Sequence, residues 1–457
     1  MVRLLRLAGL AAGALLQTAA ALEVNFADQT DVFEAASTIA FGLMKYYTGN
    51  NTGDVPGNLP DPYFWWEAGA MFGHLIDYWH ITGDETYNNL TIQAIVHQSG
   101  DLRDLMPKNQ TSTEGNDDQG FWAMSVMQAA ENNFPNPPAD QPQYLALAQA
   151  TFDLYVSRWE PQDCNGGLRW QIFAINPGFN YKNAISNGCF FNIAARLARY
   201  TGNQTYAEWA EKVYDWETEV GFITPQFTVE DGAHVEDQCA QKTEFLWSYN
   251  AGIHLHGAAV MYNITGSEVW KARLDGLLAT TVEVFFNNSI IFEQACEPFQ
   301  VCNIDQRSFK GYLLRWMAST AHLASHTADI IRPLLQASGE AAALSCDGSG
   351  SPGVDFRGHP GTACGQDWSK KTFDGFAGVG EQMNALAAVI YTQGGASAAP
   401  VTLDSGGTSR ADESEGTTKK SKYDFAPIET KDRVAAAFVT VAFCLGVVIG
   451  TVFMILD

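Results

Sequence analysis

The chain has 457 residues, with 27 Lys plus Arg against 51 Asp plus Glu and a formal charge of -24, a balance that argues against a nucleic-acid partner. Hydrophobic residues make up 46 %, aromatic ones 12 % and charged ones only 17 %, which excludes a disordered chain and requires a large packed core. About 380 residues remain once both apolar ends are set aside, enough for two domains or one large closed architecture.

Residues 1–21 carry Arg3 and Arg6, an apolar run over 7–16, and Ala19 and Ala21 at cleavage-site spacing, which predicts a secretory signal peptide. Asn-x-Ser/Thr sequons at Asn50, Asn89, Asn109, Asn203, Asn263 and Asn287 fit a glycosylated, oxidising compartment.

From there apolar residues recur at helical spacing over 28–48, 63–82, 84–99, 117–132, 141–159, 184–201, 204–219, 243–264, 267–286, 305–325, 327–338 and 374–392, which predicts twelve helices. Strand patterns are scarce, and the Gly/Pro/aromatic-rich stretches 50–62, 160–182, 223–241 and 345–371 read as long loops. A junction repeats at Ile81-Thr82-Gly83-Asp84, Tyr200-Thr201-Gly202-Asn203 and Ile264-Thr265-Gly266-Ser267. Gly there is a helix C-cap and the Asp, Asn or Ser after it an N-cap for the next helix. The spacing is close to multiples of about 60 residues, the length of a helical hairpin. Six hairpins in succession predict an all-α closed toroid over 22–395, and two separate helical domains are disfavoured because no linker interrupts the repeat.

Beyond it, 396–433 is rich in Ser, Thr, Gly and charge and reads as a flexible stalk. Residues 434–456 are apolar throughout and only Asp457 follows, which predicts a glycosylphosphatidylinositol (GPI) anchor signal at 434–457 rather than a stop-transfer helix. Cleavage would fall among Ser405, Gly406 and Gly407 or near Gly416. Of the cysteines outside that tail, Cys296 with Cys302 and Cys346 with Cys364 close short loops and are the expected pairs; Cys164, Cys189 and Cys239 leave partners open and one thiol free.

The chemistry concentrates in Glu114-Gly115-Asn116-Asp117-Asp118-Gln119-Gly120-Phe121-Trp122, where a helix begins. First-turn N–H groups and the helix dipole stabilise one carboxylate, while a neighbour beside a like charge can hold its proton and donate it. Divergent protonation of two carboxyls is what glycoside hydrolysis needs. Pyranose rings require flat apolar faces plus short polar groups, and four aromatic-and-amide-rich stretches supply them: Asp61 with Trp65 and Trp66; Gly166, Gly167, Arg169 and Trp170; Asn183 and Asn187; Trp247, Tyr249 and Asn250.

Asn116-Asp117-Asp118-Gln119, Asn165-Gly166-Gly167-Leu168-Arg169-Trp170 and Lys182-Asn183-Ala184-Ile185-Ser186-Asn187-Gly188, with the signal-plus-anchor layout, resemble glycoside hydrolase family 76, the α-1,6-mannanases, in its fungal glycolipid-anchored cell-wall branch. The resemblance covers about residues 28–395. It implies an (α/α)6 barrel and a retaining mechanism on α-1,6-linked mannose, with Asp117 as nucleophile and Asp118 as general acid/base. It further implies transglycosidase action at the cell surface: the donor is the mannose-containing GPI glycan or α-1,6-mannan, and β-glucan or another wall glycan is the acceptor. Asn116, Gln119, Asp231 and Lys310 complete the expected sugar contacts, with Glu67, Arg307 and Gln382 as weaker candidates. His254 and His256, two apart on a helix, point to different faces and do not suggest a metal pair. No phosphate loop, nucleophile elbow or calcium loop occurs, and no cofactor is expected. The competing expectations are an endo-α-1,6-mannan hydrolase and a non-catalytic mannan-binding surface protein.

Overall fold

The computed structural model describes residues 22–110, 112–351, 354–396, 398–412 and 430–456; the predicted signal peptide and the Gly416 alternative for anchor cleavage lie outside them. Helices run as α1 (Gln29–Met44), α2 (Trp65–Thr82), α3 (Asn88–Gln98), α4 (Asn116–Glu131), α5 (Tyr144–Arg158), α6 (Ala184–Thr201), α7 (Gln204–Val220), α8 (Ser248–Thr265), α9 (Glu268–Phe285), α10 (Phe309–Leu323), α11 (Ala328–Leu344) and α12 (Val379–Tyr391). The even-numbered helices pack in a closed ring, α2 on α4, α4 on α6, and so on until α12 returns to α2, while the odd-numbered ones pack outside it. This is the (α/α)6 barrel.

Sequence explains which helices go inside. In α6, all but two residues are buried, polar ones included, whereas α7 buries one stripe of Tyr206, Ala207, Ala210, Val213, Tyr214, Trp216 and Glu217. A helix apolar all round can only sit in a core, and a striped one covers it. Small residues let the inner helices approach closely: a Cβ on Gly257 of α8 would lie 2.3 Å from the Phe191 ring of α6.

The repeated junction has a common geometry. Gly83, Gly202 and Gly266 adopt φ of 77°, 72° and 60°, and each N–H closes on the carbonyl four residues back. The preceding Thr82, Thr201 and Thr265 hydroxyls bond to the carbonyls of Tyr78, Leu197 and Met261 and accept the N–H two residues ahead. Asn203 and Ser267 then cap α7 and α9 as expected. Asp84 departs from the pattern, capping a turn through the Thr86 N–H, because α3 starts only at Asn88.

Three loops expected to be irregular contain strands, 345–371 only the short antiparallel pair Gly350–Ser351 and Val354–Asp355. β1 (Tyr181–Asn183), β2 (Glu230–His234) and β3 (Lys242–Leu246) form an antiparallel sheet, so 243–246 is strand rather than the start of a helix. Strands of three to five residues carrying Glu-Asp-Gly-Ala-His or Lys-Thr-Glu-Phe-Leu offer no alternation to read. Disulfides join Cys164–Cys239, Cys296–Cys302 and Cys346–Cys364, with Cys189 a buried thiol.

Residues 398–412, within the stretch expected to be a stalk, lie against the barrel at the C-terminal ends of α2, α4 and α6. Val401 N–H bonds to Glu131 O, Arg199 holds the Pro400 and Val401 carbonyls, Thr408 bonds to Asn133, and Asp412 N–H reaches Gln149. Separately, Thr430–Leu456 forms α13, of which Thr430–Ile449 is long and apolar enough to cross a membrane.

Candidate active site

A cleft of about 470 Å³ opens where α2, α4, α8 and α10 begin and where β1 leads into α6. That volume suits a small oligosaccharide. Asp117 and Asp118 occupy the first turn of α4 at its floor.

Backbone and amide donors fix the two carboxylates. Gly115 N–H donates to Asp118 Oδ2 at 2.6 Å, Asp118 N–H to Asp117 Oδ1 at 3.1 Å, and Asn183 Nδ2 to Asp117 Oδ2 at 3.2 Å. Asn183 is itself held, since its Oδ1 caps α6 through the Ser186 N–H. The turn is pinned below by Asn116, whose N–H and Nδ2 donate to the carbonyls of Trp170 and Arg169 at 2.8 Å and whose Oδ1 accepts from Arg158. The place a Cβ on Gly115 would occupy is 2.3 Å from Asp117 Oδ1 and 3.2 Å from Asp118 Oδ2. Those two oxygens are therefore at most about 5.5 Å apart, a bound that excludes the roughly 6.5–9.5 Å separation of an inverting pair and is compatible with double displacement at a sugar carbon.

Burial shifts both groups. It raises Asp118 to about 7, with the Gly115 N–H pulling down and the Asp305 charge pushing up. Burial also lifts Asp117 well above the carboxylate range, and the Asp118 charge adds to it. Glu114, buried beside them, is raised by burial and then by Asp118. Below about pH 7 Asp118 therefore keeps its proton, and the first of the pair to ionise leaves the other beside a like charge, so the two protons come off in separate steps.

Aromatic walls surround this pair. Trp65, Trp66, Trp170, Trp247 and Tyr249 all line the cleft, as do Asn183 and Asp231. Tyr249 stacks on Phe309 with ring centres 3.9 Å apart, and Tyr181 Oη donates to Asp231 at 2.7 Å. Across the cleft, Trp66 Nε1 donates to Asp305 Oδ1 at 3.2 Å. Five carboxyl side chains, Glu114, Asp117, Asp118, Asp231 and Asp305, line the cavity, and among the described residues no Lys, Arg or His does.

Other expected sugar contacts sit behind the wall or away from it. Asp61 is exposed at a cis Asp61–Pro62 peptide outside the lining. Gln119 bonds to Asp104 O and Arg158, Gly166 and Gly167 pack on Trp216, and Asn187 clamps both main-chain groups of Leu168. Arg169 pairs with Glu160 and Asp163, Lys310 with Glu297 under the Trp368 ring, and Asn250 is fully buried in α8. Of the weaker candidates, Arg307 pairs with Glu381, while Glu67 and Gln382 are buried below the cleft. His254 pairs with Glu217 and His256 with Asn192. Conversely, Tyr181, Gln171, Asn303, Asp305 and Phe309 line the cleft although the sequence reading did not single them out. The available signal was Asp305 and Phe309 four apart at a helix start, a spacing that puts both on one face; the neighbouring cations drew attention but turn inward.

The glycosyl hydrolase family 76 model matches residues 31–404. The mannan endo-1,6-alpha-mannosidase DCW1 of Candida glabrata is 45 % identical over 93 % of this chain and 94 % of its own, and that of Saccharomyces cerevisiae 46 % identical over 92 % of each. The crystal structure of Dfg5 from Chaetomium thermophilum, in complex with glucosamine, superposes with a TM-score of 0.81 at 44 % identity, covering 87 % of this chain and 98 % of that one. The GH76A alpha-1,6-mannanase from Salegentibacter shares the fold, with a TM-score of 0.61 at 19 % identity over 79 % of this chain and 98 % of its own.

Proposed function

The chain belongs to glycosyl hydrolase family 76 and is a glycoside hydrolase, and from that premise we propose that it is a retaining enzyme for α-1,6-linked mannose that transfers the glycan it cleaves. The observation that carries the reading is the buried Asp117–Asp118 pair, close enough for double displacement, on the floor of an aromatic cleft. The relatives named as mannan endo-1,6-alpha-mannosidases supply the linkage.

Asp117 attacks the anomeric carbon while Asp118 gives its proton to the leaving oxygen, so the glycosidic bond breaks as the Asp117–sugar ester forms. Asp118, now a carboxylate, takes the proton of the incoming hydroxyl, whose oxygen displaces Asp117 and restores the α configuration. In the unliganded site the short Gly115 N–H bond makes Asp118 the easier of the two to ionise, so sugar binding must move the shared proton from Asp117 to Asp118. The donor is an α-1,6-mannose-containing chain, with the GPI core glycan favoured because the lining's acidic side chains, with no Lys, Arg or His among them, match its unacetylated amino sugar, in keeping with the glucosamine bound to the Chaetomium relative. The acceptor is β-glucan or another wall glycan. The enzyme reaches it as a secreted protein tethered by a GPI anchor at the outer face of the plasma membrane or in the wall; release by phosphatidylinositol-specific phospholipase tests that placement.

The decisive experiment incubates the protein and its Asp117→Asn and Asp118→Asn variants with the GPI glycan and β-glucan oligosaccharides, read by mass spectrometry. Conjugates of higher mass that vanish in both variants establish transfer. Shortened donor alone establishes a mannan-type hydrolase, and unaltered donor bound equally by all three proteins establishes a binding protein. A 2-fluoromannosyl trap that labels the Asp118 peptide instead of the Asp117 peptide would reverse the two roles.

A further inference from the structure

The two carboxylates look toward different ends of the cleft. Asp117 is tied by Asn183, whose strand β1 pairs with β2 beside Asp231. Asp118 shares its face of α4 with Phe121, three residues on, whose ring centre lies 4.7 Å from that of Trp66, the residue that holds Asp305 on the loop before α10. An acid/base must sit at the leaving-group oxygen and later at the acceptor oxygen, so the side it faces is the side where the acceptor binds. Asp231 is therefore on the side of the sugar being transferred and Asp305 on the side of the group that leaves or arrives.

Asp305 is presented unusually firmly. Trp66 Nε1–H fixes one carboxylate oxygen. The Cys296–Cys302 disulfide anchors the loop just before it. Asn303 and Gln306 exchange backbone-to-side-chain hydrogen bonds of 2.9 Å across it, and Ser308 Oγ bonds to its carbonyl at 2.6 Å. No cation among the cleft-lining residues competes for the carboxylate.

We infer that Asp305 is the acceptor-side specificity residue, its carboxylate accepting hydrogen bonds from hydroxyls of the incoming sugar so that another hydroxyl of that sugar lies on Asp118. In the second half-reaction the bond formed is between the anomeric carbon and that hydroxyl oxygen, the bond broken is the Asp117 ester, and the hydroxyl proton passes to Asp118. An acceptor fixed this way competes with water because its reacting oxygen is already placed. The inference rests on the retaining reading above and on Asp118 as acid/base.

The test measures the full-length protein and the Asp305→Ala and Asp305→Asn variants on two donors sharing one α-mannosyl portion, one with mannose as leaving group and one with a nitrophenyl group. The expected result is a fall of roughly tenfold or more in the ratio of kcat/KM for the sugar-leaving donor to that for the aryl donor, with Asn partly rescuing Ala, as loss of a charge-assisted bond to a hydroxyl implies. The same variants should lower the ratio of transfer to hydrolysis and raise the acceptor KM. Trp66→Phe, which keeps an aromatic ring and removes the N–H, should move both ratios the same way, and it supplies the answer if the Asp305 variants melt early. Equal loss on both donors would overturn the inference, leaving Asp305 a charge that only tunes Asp118. If the unmodified enzyme gives no conjugate with any acceptor, the transfer reading fails, while the two-donor ratio still decides whether Asp305 holds a sugar.

Discussion

Gly167 stands in a stretch that resembles a sugar-binding motif, yet it faces the core, and replacing it with Ala separates the two roles. Its φ is +85°, and a Cβ would lie 2.1 Å from the Trp216 ring. That ring cannot retreat, because Trp216 Nε1 is bonded to Cys164 O at 2.9 Å and its edges meet Trp159 and Phe222. The left-handed backbone costs about 1–2 kcal/mol for a residue with a Cβ, and overpacking a core about 1–3 kcal/mol. Together Gly167→Ala should destabilise by about 2–5 kcal/mol. At about 2.1 cal/mol/K per residue for the entropy of unfolding, a barrel of this size loses roughly 1.2 °C per kcal/mol, so Tm should fall by about 2–6 °C in calorimetry. Donor KM, measured well below the new Tm, should stay near the unmodified value. A variant that melts normally but binds donor weakly would refute this and return Gly167 to the binding surface.

Four further predictions concern stability. Burial holds Asp118 at about 7 against 3.8 for an ordinary Asp; the folded protein therefore keeps a proton that the unfolded chain releases, and stability declines as pH rises from about 4 to 7. Asp118→Asn should thus be more stable than the unmodified protein by about 2–4 kcal/mol above pH 7, with the gap closing near pH 4, as denaturant melts at the two pH values would show. Glu131→Ala should cost about 3–5 kcal/mol, because it strands the Arg196 guanidinium, which makes bonds of 2.6 and 3.0 Å to Glu131 in the core; equal chemical-denaturation midpoints would contradict it. Ser409→Ala should cost about 1 kcal/mol, since Ser409 Oγ caps α5 from afar by accepting the Leu145 N–H at 3.0 Å. A protein ending at residue 397 should accordingly melt several degrees below one ending at 412.

The helices were legible because an inner or outer helix of a barrel must repeat its apolar residues at helical spacing, and the Thr-Gly junctions were legible because only a left-handed cap and a capping side chain satisfy both helix ends in so few residues. Asp117 and Asp118 stood out for a similar reason: two consecutive acids in the first turn of a helix, behind Gly115 and Asn116, have few structural uses. The lining was harder to read. Arg169 and Lys310 look like ligand contacts in a linear string, but their partners Glu160, Asp163 and Glu297 lie 6 to 13 residues away in sequence and lock them inside the wall. Asp305 and Tyr181 reach the cleft through a disulfide-bounded loop and a three-residue strand. Neither has a periodicity, so only the tertiary fold reveals which side chain of such a loop faces the cavity.

The charge pattern of the cleft follows from the barrel's topology. The cleft gathers the N-terminal ends of several inner helices, whose exposed N–H groups and dipoles carry partial positive charge. Negative charge can therefore be held there by main chain, as Gly115 and Asp118 N–H hold the pair, without a lysine or arginine beside it. Glycoside cleavage passes through a sugar cation, and a fixed cation in the lining would oppose its formation. Carboxylates held only by dipoles keep their field directed at the sugar. The opposite end of the barrel shows the complement: at the C-terminal ends of α2 and α6, His80 and Arg199 bond to the carbonyls of Ala398, Pro400 and Val401. The segment that closes the fold thus docks where the helices end in negative partial charge, leaving the other end free for substrate.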